Sequence, residues 1–299
     1  MNAELIKKEI KSAVQAFSSG NLTKNSLRLF DCLGYVTDRQ APSDKPDFDE
    51  FRDLFVIGQK FDQVKARTNE WRYVDLLFQL SKTEVLKQTS LFDTKKVDQT
   101  IIETYLFFVI ELSGQQYSRT DLALITREVN RLFPMPAMIL FKYGNLITLS
   151  VIHRRLSKKD PDKNVLEKVT LIKDIKIDNP NRAHIEILFD LTFEKLQQDT
   201  AFSNFVELHN AWQKTLDIKL LNEKFYKEIA YWFFWAVNQV EFPDDDPYYA
   251  KRETRNTENV IRLLTRVIFC WFMKEKRLIK PELFSQEDIE KLMICFLKY

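Results

Sequence analysis

Glycine and proline are scarce in this chain, with 5 Gly and 9 Pro among 299 residues. Glycine supplies the positive-φ positions of tight turns, and proline interrupts helices. Their scarcity therefore favours long helices joined by few tight turns, and it excludes a glycine-rich linker. Neither G-x-x-x-x-G-K nor G-x-G-x-x-G occurs in the sequence. The nucleotide-binding folds that depend on such phosphate-binding loops are therefore not expected.

Motifs for metal binding and nucleophilic catalysis are missing as well. The three histidines show neither H-E-x-x-H nor paired Cys/His spacing, which argues against a zinc site. No serine stands in the nucleophile-elbow context of hydrolases. The three cysteines have no C-x-x-C spacing and lie in apolar sequence, which is typical of reduced core thiols in a cytosolic protein.

Charge and hydropathy set further bounds on the class of protein. The formal net charge is +2, so a nucleic-acid surface would have to come from local clustering of basic residues. The longest apolar runs, such as residues 229–237, are about half the ~20 residues of a membrane span. The N-terminus is an amphipathic charged helix without a signal-peptide core. We therefore predict a soluble, cytoplasmic protein with no membrane partner.

The stretch from Thr104 to Arg155 shows the clearest secondary-structure pattern. Residues 104–112 are a continuous apolar run that stops at Glu111 and Gly114, as in a strand buried on both faces. Apolar residues then recur at helical spacing over residues 119–132. Two β-prone runs joined by Tyr143-Gly144-Asn145 predict a hairpin. The predicted unit is therefore strand, helix, strand, strand.

Strand signals end near residue 180, and helical periodicity follows. Before that point, residues 71–80 and 169–177 also have the β-branched and aromatic content of strands. After it, the predicted helices cover residues 182–198, 203–215, 222–240 and 257–277. We predict an α+β protein with a nuclease-like mixed sheet and helices over residues 1–180 and an all-helical part over residues 181–299.

Two acidic residues in strand-like sequence are the candidates for catalysis and metal binding. Asp75 lies inside WRYVDLLFQL, and Glu111 ends YLFFVIEL. Metal-dependent nucleases of the restriction type place an acid on one strand and an E-x-K motif on the next, where two acids bind Mg²⁺. The residue two positions after Glu111 is Ser113 instead of lysine. The alternatives are an active Mg²⁺ site, a vestigial site, or acids satisfied by nearby arginines.

Basic residues flank the same stretch and are the candidates for DNA binding. They lie on the predicted helix and after the hairpin, and they are Arg119, Arg127, Arg131, Arg154, Arg155, Lys158 and Lys159. If the helix and hairpin pack together, these charges could contact phosphates along one edge of a groove that also holds Glu111. The alternative is a solvated face, since neighbouring Glu128 and Asp160 cancel part of the charge.

Three phrases resemble the N-terminal region of large Type IIG-like bacterial restriction–modification enzymes, in which one polypeptide carries an N6-adenine DNA methyltransferase. They are SRTDLALITREVNRLFPMPAMILFKYGNLITLSVIHRR from Ser118, VLEKVTLIKDIKIDNPNRAHIEILFDL from Val165 and ENVIRLLTRVIFCWFMKEKRLI from Glu258. The resemblance implies binding of double-stranded DNA, Mg²⁺ for cleavage and S-adenosylmethionine for methylation. No Asn-Pro-Pro-Tyr motif occurs, so the methyltransferase and its S-adenosylmethionine site are expected outside this chain.

These observations lead to one functional expectation with two alternatives. The chain is expected to be the DNA-associated region of a restriction–modification (phage-defence) enzyme, with a degenerate nuclease-like fold beside a methyltransferase domain or subunit. The first alternative is an active Mg²⁺-dependent endonuclease with Asp75 and Glu111 at its centre. The second is a non-catalytic protein-interaction module, which is favoured by the apolar helices over residues 222–240 and 257–277.

Overall fold

The computed structural model divides into two compact units, Met1–Leu220 and Leu221–Tyr299. Across both units the described residues are 3–40, 43–56, 61–81, 104–133, 135–156, 164–202, 205–216, 218–243, 251–275, 278–284 and 289–291. Within this part of the chain, no helix combines the length and hydropathy needed to cross a membrane.

The first unit contains a sheet with helices before, within and after it. Its helices are α1 (Ala3–Gln15), α2 (Leu22–Cys32), α3 (Phe48–Phe51), α4 (Gln63–Ala66), α5 (Arg119–Arg131), α6 (Arg182–Asp190), α7 (Phe193–Thr200) and α8 (Phe205–Thr215). Its strands are β1 (Trp71–Ser81), β2 (Thr104–Leu112), β3 (Ala137–Tyr143), β4 (Leu146–Leu156) and β5 (Asn164–Lys176). Helix α9 (Ile218–Gln239) begins in this unit and continues into the second.

The five strands form one mixed sheet in the order β1-β2-β3-β4-β5. Only β2 and β3 pair in parallel, because α5 carries the chain back to the starting edge between them. The other neighbouring strands are antiparallel. Predictions of a buried strand, a helix and a hairpin over residues 104–155 are confirmed, as is the α+β class with a mixed sheet.

Both faces of the sheet are covered, as the continuous apolar runs predicted. Alternation along β2 sends Tyr105, Phe107 and Val109 to one face and Leu106, Phe108 and Ile110 to the other. The first, called the α2 face, packs against α1, α2 and α6–α8. The second, called the α5 face, packs against α5 through Leu122, Ile125 and Val129. The two sets of side chains form separate hydrophobic clusters.

Helices α6–α8 belong to the core of the sheet. Trp212 of α8 is buried, and its indole N–H donates to the Tyr35 hydroxyl at 2.7 Å. That hydroxyl donates in turn to the carbonyl of Leu191 at 2.7 Å. The first compact unit therefore extends past the boundary predicted at residue 180, because these helices complete the cover of the α2 face.

The single helix predicted over residues 182–198 is two helices in the structure. α6 ends at Asp190, and Thr192 is extended at the start of α7, with φ −62° and ψ 141°. The first amide of α7, that of Phe193, donates to the carbonyl of Leu33 at 2.8 Å. This bond ties the break to the end of α2, so tertiary packing overrides the continuous helical pattern.

The two outer strands of the sheet are protected in different ways. Along β1, the amide of Val74 donates to the carbonyl of Pro46 at 2.9 Å, and that of Gln79 donates to the carbonyl of Arg39 at 3.0 Å. Arg39 and Pro46 therefore lie along the outer edge of β1. The opposite edge is β5, which carries Lys168, Lys173 and Lys176.

The second unit contains the rest of α9, helix α10 (Arg252–Glu275) and a short 3₁₀ turn, Pro281–Phe284. Asn256 joins the helices, since its side chain accepts from the Phe242 amide at 3.2 Å and donates to the Val240 carbonyl at 2.7 Å. Large apolar side chains are exposed on both helices. The exposed aromatic residues are Phe225, Tyr226, Tyr231, Trp232, Phe234, Trp235, Phe269, Trp271 and Phe272.

Candidate functional site

The two predicted acids lie on the same face of the sheet. Glu111 has the same strand parity as Phe107 and Val109, so it lies on the α2 face. Asp75 of β1 pairs with Val109 and reaches Thr23 of α2, so it lies on that face as well. Because Tyr73 is opposite Glu111, the carboxylates of Asp75 and Glu111 are diagonal neighbours across the β1–β2 pair.

Asp75 is buried and held by hydrogen bonds to both of its oxygens. Its residue is 3% exposed. The Thr23 hydroxyl donates to Oδ2 at 2.6 Å, and the Ser43 amide donates to Oδ1 at 3.2 Å. The side chain is therefore fixed in position. A carboxylate oxygen has two lone-pair sites, so each oxygen retains acceptor capacity after these bonds.

Glu111 forms an ion pair with Lys142 of the neighbouring strand. The two residues are direct partners in the parallel β2–β3 register, and the Lys142 ammonium donates to Oε1 of Glu111. Their side chains are partly open, with 28% of Glu111 and 21% of Lys142 exposed. Together with Tyr73 they form a polar row across three strands at one end of an otherwise apolar face.

Tyr73 is a neighbour of both carboxylates, since it is opposite Glu111 and two residues before Asp75. Its hydroxyl shares a hydrogen bond of 2.6 Å with that of Thr23. Burial is the main cause that raises the pKa of Tyr73, and the negative charges of Asp75 and Glu111 raise it further, while the bond to Thr23 lowers it. Since both carboxylates act on this one phenol, they share a local environment. We call Thr23, Tyr73, Asp75, Glu111 and Lys142 the sheet-end cluster.

The sheet-end cluster has the chemistry of a site for a hard cation. Mg²⁺ prefers oxygen ligands and is often held by one or two carboxylates, with water and substrate phosphate completing its shell. Within the described ranges, no group of three or more His, Cys, Asp or Glu side chains is placed to hold a metal ion. Asp75 and Glu111 are the two carboxylates that the cluster offers, and the Lys142 ammonium is the cation that Glu111 holds in this structure.

Three members of the cluster were missed by the sequence interpretation. Lys142 is the only charged residue in the strand AMILFKY, and that exception to an apolar run was its sequence signal. Thr23 carries no such signal, because its contact with Asp75 joins residues 52 positions apart. Tyr73 looked like one of several aromatic residues of a strand. Strand register, which brings these residues together, is not visible in the sequence.

The arginines of α5 lie on the other side of the sheet from the carboxylates. The apolar side of α5 packs on the α5 face, whereas Asp75 and Glu111 lie on the α2 face. The predicted convergence of Glu111 and the helix arginines on one groove is therefore wrong. The physical reason is strand alternation: Glu111 points away from the face that its neighbours Ile110 and Leu112 share with the helix.

The individual arginines of α5 differ in their surroundings. Arg119 is exposed in the first turn, directly after the capping-box residue Ser118. Arg127 is half-buried. Arg131 pairs with Glu128, a buried carboxylate that also accepts from the amide of Asp62 at 3.3 Å. Arg131 therefore already neutralises an internal charge, which reduces its capacity to contact a phosphate.

The structure describes two of the four remaining basic candidates. Arg154 and Arg155 lie near the end of β4, opposite Leu166 and Val165 of β5. Lys158 and Lys159 lie outside the described residues. The structure thus gives strand positions for two of these four residues.

Comparison with known proteins gives one partial match. A family model described as a domain of unknown function (DUF4391) matches residues 92–227, a little under half of the chain. The matched segment includes Glu111 and Lys142 but not Asp75. No curated protein and no solved structure matches the chain.

Proposed function

We propose that the first unit is a nuclease-like, DNA-associated module of a bacterial restriction–modification enzyme. The second unit is then an all-helical connector to an N6-adenine methyltransferase domain or subunit. The observation that carries the proposal is the position of Asp75 and Glu111 on one face of neighbouring antiparallel strands. A helix and a parallel strand follow, in the order expected of restriction-type nucleases. The resemblance to Type IIG-like enzymes points to the same class.

Mg²⁺ is the cofactor that this site would take. Asp75 and Glu111 would hold it through their free acceptor positions. When bound, the ion supplies Lewis-acid stabilisation of the charge that develops on a phosphodiester. The chain itself supplies the orientation of Asp75, through Thr23 and the Ser43 amide, and the ammonium of Lys142. A degenerate site would keep the fold and DNA association without cleavage.

Association with double-stranded DNA is assigned to the basic residues outside the sheet-end cluster, of which those on α5 lie on the opposite side of the sheet from it. The assigned residues are Arg119, Arg127, Arg154, Arg155, Lys158 and Lys159, with a smaller part for Arg131 because of its bond to Glu128. Each phosphate contact that is lost should reduce the salt dependence of binding, by about 0.9 in the slope of log K against log salt concentration. Binding of a duplex across a salt series measures this slope.

The deciding experiment combines duplex binding with cleavage of supercoiled plasmid in Mg²⁺ or Mn²⁺. We expect wild-type protein to bind DNA, with a lower slope in an Arg119→Ala/Arg127→Ala variant. Glu4→Gln, an exposed change on α1, is the matched control and should have no effect. Cleavage that is lost in Glu111→Gln supports the active form, and binding without cleavage supports the degenerate form. Equal, weak binding by the wild type and the arginine variant would count against both.

A second candidate function is a protein-interaction module, which the second unit favours. Nine aromatic side chains of α9 and α10 are more than two-fifths exposed, far more than isolated surface residues explain. Sedimentation velocity of the full chain over a range of concentrations tests this. A chain that stays monomeric and binds no hydrophobic dye would speak against an interaction role.

A further inference from the structure

We propose that Lys142 is the catalytic lysine of this site, supplied by β3 in place of the residue two positions after Glu111. The inference rests on the active form of the proposed function and adds a residue to it. An E-x-K motif that begins at Glu111 would have its lysine at position 113. That residue is Ser113, whose hydroxyl cannot supply a positive charge. Lys142 brings an ammonium to the same carboxylate from the neighbouring strand.

The strand register fixes the position of Lys142 beside Glu111. β2 and β3 pair in parallel without a register shift, so Lys142 lies directly opposite Glu111. The two side chains also share the α2 face, since Met138 and Leu140 of β3 and Val109 of β2 belong to its cluster. Lys142 therefore reaches the sheet-end cluster by the same alternation that brings Asp75 and Glu111 together.

Stability gives little reason for a charged pair at this position. A partly exposed lysine–carboxylate pair contributes roughly 0–1 kcal/mol, because solvent screens it and both side chains lose freedom. The neighbouring β3 residues Leu140 and Met138 are buried and apolar. An apolar residue at position 142 would extend that pattern. The exposure of the pair, in contrast to the burial of Asp75, leaves the ammonium open to a substrate.

The reaction assigned to this site is hydrolysis of a phosphodiester. A water oxygen forms a bond to phosphorus, and the bond between phosphorus and the departing sugar oxygen breaks. The attacking water loses a proton to solvent, and the departing oxygen takes one from solvent. Lys142 transfers no proton in this step and donates hydrogen bonds to the attacking water and to a non-bridging phosphate oxygen. Its ammonium thereby stabilises the charge that develops in the transition state.

The same geometry makes Lys142 a competitor of a metal ion for the charge of Glu111. Replacement of the lysine by methionine keeps the stem length and removes the ammonium. Binding of a divalent cation should then tighten, because the carboxylate loses its present partner. Cleavage should fall at the same time, because the donor to water and phosphate is lost. If the lysine served only to neutralise Glu111, its replacement would tighten cation binding and leave the rate of cleavage unchanged.

The experiment uses the full chain as wild type, Lys142→Met, Lys142→Arg and Glu111→Gln. Free Mn²⁺ is measured by electron paramagnetic resonance during titration, and nicking of supercoiled plasmid is measured in Mg²⁺. We expect Lys142→Met to bind Mn²⁺ several-fold more tightly and to cleave roughly 100-fold more slowly, as for the loss of one charge-stabilising donor. Lys142→Arg keeps the ion pair and should recover only part of the rate. Glu111→Gln should lose Mn²⁺ binding.

Two results separate failure of this inference from failure of the proposed function. Cleavage by Lys142→Met within about threefold of the wild type, with Glu111→Gln inactive, leaves the nuclease in place and overturns the role of Lys142. A wild type that neither binds Mn²⁺ nor cleaves overturns the role of Lys142 and the active form of the proposed function, and duplex binding then decides the degenerate form. Thermal unfolding checks that each variant is folded. If Lys142→Met is not, Lys142→Cys alkylated with bromoethylamine restores an amine, and recovery of cleavage on alkylation supports the role.

Discussion

Replacement of Tyr35 by phenylalanine should destabilise the first unit by an amount that follows from two buried hydrogen bonds. The Tyr35 hydroxyl accepts from the Trp212 indole and donates to the Leu191 carbonyl, each at 2.7 Å. Tyr35 is 5% exposed and Trp212 1% exposed, so water does not readily replace the lost partner. Burial raises the pKa of Tyr35, which therefore stays neutral over any ordinary pH range.

The magnitude comes from the two groups that lose a partner. A buried polar group left unsatisfied costs about 1–3 kcal/mol, so the indole N–H and the carbonyl together predict a loss of roughly 2–6 kcal/mol. That loss is a large fraction of the 5–15 kcal/mol typical of a folded domain, and it should lower Tm by roughly 4–24 °C. The aromatic ring of phenylalanine keeps the packing against Phe30 and Phe193.

Urea denaturation followed by far-ultraviolet circular dichroism measures the effect. Tyr226→Phe is the matched control, because it removes the same hydroxyl from a side chain that is 67% exposed, and it should change the free energy of unfolding by less than about 0.5 kcal/mol. If Tyr35→Phe is as stable as this control, the bonds through Leu191 and Trp212 do not hold α6 and α8 to the sheet.

Three further predictions concern other parts of the first unit. A chain ended after residue 180 should be insoluble and protease-sensitive, whereas one ended after residue 220 should give a protease-resistant core, because α6–α8 cover the α2 face. Burial lowers the pKa of His209 to about 4. As pH drops from 6.5 to 4, the unfolded chain is therefore protonated at His209 before the folded chain is, and the free energy of unfolding should fall by up to about 1.4 kcal/mol per pH unit. In urea titrations, His209→Gln should weaken this pH dependence. Gly144→Ala should cost about 1 kcal/mol by the same assay, since φ is +50° and the added Cβ would lie 2.5 Å from Oε1 of Gln115.

Local sequence signals predicted much of the central unit. The apolar run ending at Glu111 became β2, and the helical spacing after Ser118 became α5 with a full capping box. Tyr143-Gly144-Asn145 marked the turn between β3 and β4, where Gly144 takes the positive φ that the turn requires. These signals act over a few residues, which is why a single sequence carries them.

Features set by distant contacts could not be predicted in the same way. The pairing of Glu111 with Lys142 depends on the register of two parallel strands joined by a helix. The contact of Asp75 with Thr23 depends on how α2 packs across β1. Helical periodicity identified the apolar side of α5 but not which face of the sheet it would cover. That choice decided whether the arginines and carboxylates could meet.

The hydrogen bonds that Arg39 and Pro46 accept from β1 affect how this unit can bind other molecules. With carbonyls of Arg39 and Pro46 already bound to its amides, β1 offers no continuous row of donors and acceptors to an incoming extended peptide. At the opposite edge, β5 carries Lys168 and Lys176, and charged lysines on an edge strand disfavour pairing with another such edge. Intermolecular extension of the sheet is therefore disfavoured at both edge strands. Partners of this unit should bind through side chains and helices instead of by adding a strand.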